Sequence, residues 1–143
     1  MTEKRKFHWP WPDMPAETLL QRARNVAERA YAPYSKFKVG AALLTSDGSV
    51  IVGCNVENAS YGMSICAERS AVASMIAMGH LDPVAIAVVG GRSGTPCPPC
   101  GACRQVLAEF NPNMLVVLES PNKVIVMSAN ELLPLSFSLT ERT

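Results

Sequence analysis

Aromatic residues make up only 6% of this 143-residue sequence and charged residues only 17%, and the charges nearly cancel to a formal net of +1. Beyond Lys4-Arg5-Lys6 no long basic run exists, which argues against a nucleic-acid partner, because affinity for phosphate backbones comes from clustered lysine and arginine. No apolar run reaches the roughly 18 residues that a membrane-spanning helix needs, so no membrane partner is expected. The basic start is not followed by the apolar stretch of a secretory signal, and a cytoplasmic location is the expectation. Histidine is scarce as well: His8 and His80 both fall outside the cysteine cluster described below and read as ordinary surface or helix-end residues. No internal repeat and no second domain are evident.

A hydrophobic content of 48% reads as one globular domain large enough for a core. Of the five cysteines, Cys97, Cys100 and Cys103 crowd into seven residues, with Cys66 about thirty residues earlier and Cys54 before that. In a cytosolic chain such clustering favours metal or redox chemistry over structural disulfides. Cys66-Ala67-Glu68 and Pro99-Cys100-Gly101-Ala102-Cys103 together offer three thiols and one carboxylate. That set is too small for a closed four-cysteine zinc site. It fits an open one, with three protein ligands and a water in the fourth position. Cys100 and Cys103 are three apart and share the first turn of an expected helix. Cys66 and Cys100 each begin a helix, where free N–H groups stabilise thiolates. Glu68 can face the same pocket without binding the metal and can handle the water's proton. This arrangement resembles the signature described for zinc deaminases. Three thiolates make zinc a poorer Lewis acid, so a positive partner is expected to offset them. Arg69 is assigned that role, hydrogen-bonded to the ligand sulfurs, with Gln105 supporting the same region.

Two alternatives stay open on the residues alone. Cys97 could be a fourth ligand that closes a structural zinc module used in protein interaction. Cys100 and Cys103 could form a redox pair, although that leaves Cys66 and Glu68 unexplained. Cys54 reads as a small buried residue at a strand end.

The chain opens with an irregular arm, residues 1–14, holding Trp9, Pro10, Trp11 and Pro12; a catalytic domain is expected over 15–143. Pro15 suits the first turn of an amphipathic helix that recurs from Leu19 to Tyr31 and ends at Ala32-Pro33. Two strands, 38–45 and 49–56, flank an Asp47-Gly48 hairpin turn. The helix expected over Ala67–Met78 is so apolar that burial on most sides is anticipated, against the sheet and another layer or subunit. A strand at 84–89 follows, then a Gly/Pro-rich loop to Cys100 and a helix over Arg104–Phe110. Strands at 114–119 and 124–127 come next. The Ser128-x-x-Glu131 capping-box spacing opens a short last helix. The pattern α-β-β-α-β-α-β-β-α gives a three-layer α/β/α domain with a mixed five-stranded sheet. The connection Ser120–Lys123 is too short for a crossover, so the last two strands should be antiparallel.

Beyond the metal motif, the chain resembles the cytidine deaminases, in particular the small homotetrameric, zinc-dependent type. The resemblance rests on Tyr31-Ala32-Pro33-Tyr34-Ser35-Lys36-Phe37 with Val39-Gly40-Ala41-Ala42, on Gly53-Cys54-Asn55-Val56-Glu57-Asn58-Ala59, on Cys66-Ala67-Glu68-Arg69, on Pro99 to Val106, and on Glu131-Leu132-Leu133-Pro134 with Phe137. It runs from about Leu19 to Phe137. The arm is longer than the family needs, and Pro96-Cys97-Pro98 is not part of the shared core.

The resemblance implies hydrolytic deamination of cytidine and 2′-deoxycytidine to uridine and 2′-deoxyuridine with release of ammonia, a pyrimidine-salvage reaction. It implies one Zn²⁺ per subunit and Glu68 as the group that moves protons. Asn55 and Glu57 would grip the ribose, Phe37 would form an aromatic wall, and the Ala67 backbone with Glu68 would read the base edge. Ala59, Tyr61 and Phe137 would complete a neighbouring subunit's pocket in a homotetramer with shared sites. The partner is a small nucleoside, without nucleic acid or membrane. A relative acting on modified nucleosides, of the blasticidin type, is the alternative enzyme; the Asn55-Val56-Glu57 grip argues against it.

Overall fold

The structure is a computed structural model that describes residues 8–139, so Lys4-Arg5-Lys6 and the first half of the arm lie outside the described residues. The elements run α1 (Ala16–Ala27), β1 (Val39–Thr45), β2 (Val50–Cys54), a 3₁₀ turn (Tyr61–Met63), α2 (Ala67–Ala77), β3 (Pro83–Gly90), α3 (Gly101–Phe110), β4 (Leu115–Glu119), β5 (Val124–Ser128) and α4 (Ala129–Leu132). They form a five-stranded sheet in the order β2-β1-β3-β4-β5. Only β3 and β4 pair in parallel, joined through α3. The β1–β2 hairpin is antiparallel, β1 and β3 are antiparallel, and the short 120–123 connection makes β4 and β5 antiparallel as expected.

The alternating faces of the strands explain the layers. Ala42, Leu44, Ala85, Ala87, Val89 and Val117 point to one side and pack against Leu19, Leu20 and Ala23 of α1. Ala41, Leu43, Ile86, Val88, Val116 and Leu118 point to the other, against Ala71 and Met75 of α2 and Leu107 of α3. Burying each large apolar side chain of this kind stabilises the fold by about 1.5–3 kcal/mol. Trp9, Trp11 and Met14 pack on the α1 side, and the Trp9 indole donates to the Trp11 and Met14 carbonyls at 3.1 and 2.8 Å.

Glycines allow the helices to approach the sheet closely. A Cβ at Gly40 would lie 2.0 Å from the Ala23 carbonyl of α1, and one at Gly53 would lie 2.4 Å from the Ala71 nitrogen of α2. Gly53 therefore sets the depth at which α2 sits, and with it the position of the helix start that carries Cys66 and Glu68. The capping box forms as its spacing requires: Glu131 donates its N–H to the Ser128 hydroxyl, and the Glu131 carboxylate accepts from the Ser128 N–H.

Several expected boundaries shift. Pro15 immediately precedes α1, which stops at Ala27 instead of running to Tyr31. Tyr31 instead donates its N–H to the Asn55 carbonyl (3.0 Å), and its own carbonyl accepts from Glu57 (2.8 Å), a long-range pairing that overrides helical periodicity. Likewise β2 ends at Cys54, because Val56 pairs with Tyr31 and Ile65. α3 begins at Gly101, three residues before Arg104, because Cys100 opens it and its carbonyl accepts the Arg104 N–H at 2.9 Å. Cys54 is only half-buried. α2 buries one face, Ala67, Glu68, Ala71, Val72 and Met75, and leaves Ile76 (42%) and Met78 (62%) exposed, so in the single chain it is not covered on most sides. Among the described residues no helix is long and apolar enough to cross a membrane.

Candidate metal centre and its cavity

Two helix starts build the centre. Cys66 is the residue before α2 and Cys100 the residue before α3, both with extended backbone, so each thiol stands at the N-terminal end of a helix. Cys103 lies on the first turn of α3 and is buried. The three sulfurs lie within 4.8 Å of one another, with the Cys66 and Cys100 Sγ atoms 4.0 Å apart. Three thiolates at tetrahedral zinc distances of about 2.3 Å would be about 3.8 Å apart, so the set fits zinc with little movement. Among the described residues no fourth histidine, cysteine, aspartate or glutamate joins this group. Cys97 stands beside the centre without entering it, which removes the geometric basis for a closed structural knot.

Glu68 projects from the first turn of α2 and is 4% exposed. Burial pushes its carboxyl above the ordinary range; its own N–H, the Cys103 thiol and the Arg69 charge oppose that rise. A carboxyl so placed exchanges protons more readily near neutral pH than a solvated one. For Cys100, burial works against ionisation, yet the N–H groups of Cys103 and Ala102 and the neighbouring thiols outweigh it and bring the thiol below its usual value. Burial and the Glu68 charge push Cys103 up. Arg69 Nη2 donates to Cys66 Sγ at 3.7 Å, as expected of a partner that offsets sulfur charge. The Arg69 Nε is buried with no partner.

A cavity of about 410 Å³ opens over the centre, and its lining includes Asn55, Glu57, Tyr61, Cys66, Ala67, Glu68, Arg69 and Cys100. The residues expected for metal, proton transfer, base edge and ribose thus meet in one place. Asn55 and Glu57 are held firmly. The Asn55 amide accepts from Val39 N–H (2.8 Å) and donates to the Phe37 carbonyl (2.9 Å). The Glu57 carboxylate accepts from the Tyr34 and Ser35 N–H groups at 3.0 and 3.1 Å and from the Ser35 hydroxyl. Those bonds, the Ser35 hydroxyl first, hold its carboxyl below the ordinary range. Each group keeps unused hydrogen-bonding capacity for a sugar hydroxyl.

Phe37, Ala59 and Phe137 do not line this cavity in the single chain. Ala59 is exposed, as are Phe37 (47%), Tyr61 (76%) and Phe137 (70%). Gln105 does not reach the sulfurs; its Nε2 donates to the Phe137 carbonyl at 3.0 Å and so holds the C-terminal segment. Sequence reasoning overlooked the cavity-lining role of Val39, Ser64, Ile65, Cys97 and Pro98. Val39 falls in a stretch that carries the family resemblance and Cys97 in the cysteine cluster, but no local pattern marks Ser64, Ile65 or Pro98.

Glu57→Ala should free the segment Tyr34–Phe37, which loses its bonds to the carboxylate, while the sulfur cluster stays intact. The lowered pKa fixes the sign with pH. The anchor is present above the ordinary carboxylate value and is lost only as pH falls through the depressed one, so the segment should stay anchored at neutral and mildly acidic pH. Amide hydrogen exchange of the segment, in the variant and in wild type, checks both statements.

A family model of the cytidine and deoxycytidylate deaminase zinc-binding region matches residues 14–119. A cytidine deaminase from Halalkalibacterium halodurans is 47% identical over 127 residues, covering 87% of this chain and 96% of that protein. The crystal structure of a cytidine deaminase from Burkholderia pseudomallei superposes with a TM-score of 0.81 at 53% identity, covering 87% of this chain and 100% of that one. A more distant relative, a blasticidin-S deaminase from Bacillus cereus, is 30% identical and covers 73% of this chain and 79% of its own.

Proposed function

The chain belongs to the family of cytidine and deoxycytidylate deaminases, and on that premise we propose that it hydrolyses cytidine and 2′-deoxycytidine to uridine and 2′-deoxyuridine, releasing ammonia, with Glu68 as the proton-transfer group. The observation that carries this reading is a buried carboxyl beside three convergent thiols at the floor of a nucleoside-sized cavity. Cys66, Cys100 and Cys103 would hold Zn²⁺, and the metal would supply the activation of water for attack.

The remaining chemistry belongs to side chains of the chain. Glu68 accepts a proton from the attacking water and delivers it to N3 of the pyrimidine, which makes C4 more electrophilic. After oxygen adds at C4, the carboxylate takes the remaining proton from that oxygen and passes it to the exocyclic nitrogen, the C4–N bond breaks as the C4 carbonyl forms, and ammonia leaves. Protons balance, because one water is consumed and its oxygen becomes the uracil carbonyl. The Ala67 backbone and Glu68 orient the base. Asn55 and Glu57 take the ribose hydroxyls, and Phe37 walls the sugar side. Arg69 tempers the charge of the thiolates.

The catalytic domain spans 15–143, preceded by the 1–14 arm. The enzyme works as a homotetramer with shared sites, in which Ala59, Tyr61 and Phe137 serve a neighbouring subunit. Support comes from their exposure in the single chain and from the exposed apolar side chains Ile76, on α2, and Met78, just after it. Light scattering should give four chains per particle; a fully active monomer would exclude shared sites. Five free cysteines accord with a cytoplasmic location.

The substrate assignment is tested with a panel of cytidine, 2′-deoxycytidine, a 3′-deoxy analogue and blasticidin S, following ammonia release. The first two should turn over, and loss of the 3′-hydroxyl should raise KM. Turnover of blasticidin S alone would move the assignment to the modified-nucleoside class represented by the Bacillus cereus relative.

A further inference from the structure

The loop between β3 and α3 forms one wall of the cavity and delivers Cys100; the Gly91 N–H donates to the Lys38 carbonyl at 3.4 Å, and the Pro99 carbonyl accepts from Arg104 Nε at 2.8 Å. Gly91 and Gly94 sit at positive φ, 65° and 81°. The Phe37 ring lies so close over Gly91 that a Cβ there would come within 2.7 Å of it. Two charged side chains 95 residues apart in sequence hold these glycines. Arg24 of α1 donates Nη1–H to the Gly91 carbonyl at 3.0 Å, and Glu119 at the end of β4 accepts the Gly94 N–H at 2.7 Å. The two side chains also join each other, Nη2 to Oε2 at 2.5 Å and Nε to Oε1 at 3.3 Å.

Beyond Gly94 the loop is stiff. The Thr95 N–H bonds the Arg92 carbonyl at 3.1 Å. Pro96, Pro98 and Pro99 then fix φ at three of the four positions before Cys100. A stiff segment carries the position of its anchored end to its far end. There, Cys97 and Pro98 line the cavity and Cys100 enters the sulfur cluster.

We propose that Arg24 and Glu119 are positioning residues: by clamping Gly91 and Gly94 they set, through the proline-stiffened loop, the place of the Cys100 ligand and of the cavity wall beside it. Neither residue lines the cavity. Only the KM readout below rests on the cytidine reading; zinc retention does not, so the two can fail separately.

The test measures zinc release from the loaded protein into an excess of colorimetric chelator, well below the melting temperature, alongside KM for cytidine and Tm. Glu119→Ala should speed zinc release about tenfold and raise KM more than it lowers kcat, since a bond to a charged acceptor is lost. The double swap Arg24→Glu with Glu119→Arg separates a clamp from an ordinary ion pair. The swapped side chains can pair again between α1 and β4. A carboxylate, however, cannot donate to the Gly91 carbonyl, and a guanidinium cannot accept from the Gly94 N–H. Recovery of Tm with zinc release still fast is the expected result; recovery of both would overturn the clamp. Should the swap fail to recover Tm, Glu119→Met decides, because a thioether of similar length accepts the Gly94 N–H far more weakly than a carboxylate. Zinc release about threefold faster supports the proposal, and a wild-type rate overturns it.

Discussion

Glu68→Ala should keep one zinc per chain and lose cytidine turnover by about 10⁴-fold, the upper end of what one proton-transfer group contributes, because the same carboxylate serves successive transfers. Glu68 is not among the three sulfur donors that cluster for the metal, so its removal leaves the ligand set whole. Its loss should also not unfold the chain. In the metal-free chain burial holds the Glu68 carboxyl above the ordinary range, and replacing it removes the cost of its ionisation at neutral pH. The linkage sign follows from the raised value: what Glu68 contributes to stability there is present at low pH and lost as pH rises through its folded pKa. The Tm of the metal-free variant should therefore match or exceed that of metal-free wild type at neutral pH and fall behind as pH drops. Metal analysis, initial rates and melting curves at two pH values suffice. Retained turnover would remove Glu68 from its role.

Cys100→Ala should empty the site and abolish turnover with it. Two sulfurs cannot hold a metal that needs three protein donors in an open site, and no further donor stands ready within the cluster. Cys100 is the cleanest ligand to remove because it is exposed, whereas Cys103 is buried and its truncation would also leave a cavity. The variant should fold, with the lower Tm of a protein that has lost a ligand binding only its native state. Cys97→Ser is the matched control: it alters the cavity wall and leaves the sulfur cluster intact, so zinc content should not change. Full metal content in Cys100→Ala, or loss of zinc in Cys97→Ser, would reassign the ligands.

The contrast between those two cysteines shows what a sequence can carry. Cys66, Glu68, Cys100 and Cys103 were legible because each stands at a helix start, where spacing alone implies direction. The sheet was legible through local chemistry as well: the Asp47-Gly48 hairpin, the short 120–123 turn and the Ser128/Glu131 box each depend on residues a few positions apart. What depends on distant partners was not. α1 ends at Ala27 because Tyr31 pairs with strand-like residues near Asn55. The apolar character of α2 implies burial on most sides against the sheet and another layer or subunit, and one chain supplies only the sheet side, leaving Ile76 and the C-cap Met78 exposed. Gln105 adjoins the sulfur motif in sequence, but its amide turns to the Phe137 carbonyl. Nothing in either local sequence links Arg24 to Glu119.

The most direct test of the zinc deaminase account is a metal titration of activity. Chelator-stripped protein is mixed with cytidine and followed by the ultraviolet change from cytosine to uracil as zinc is added back. The account predicts no turnover without metal and a rise that saturates at one zinc per chain. Undiminished turnover by the stripped protein, or cytidine left unchanged at full zinc loading, would contradict it.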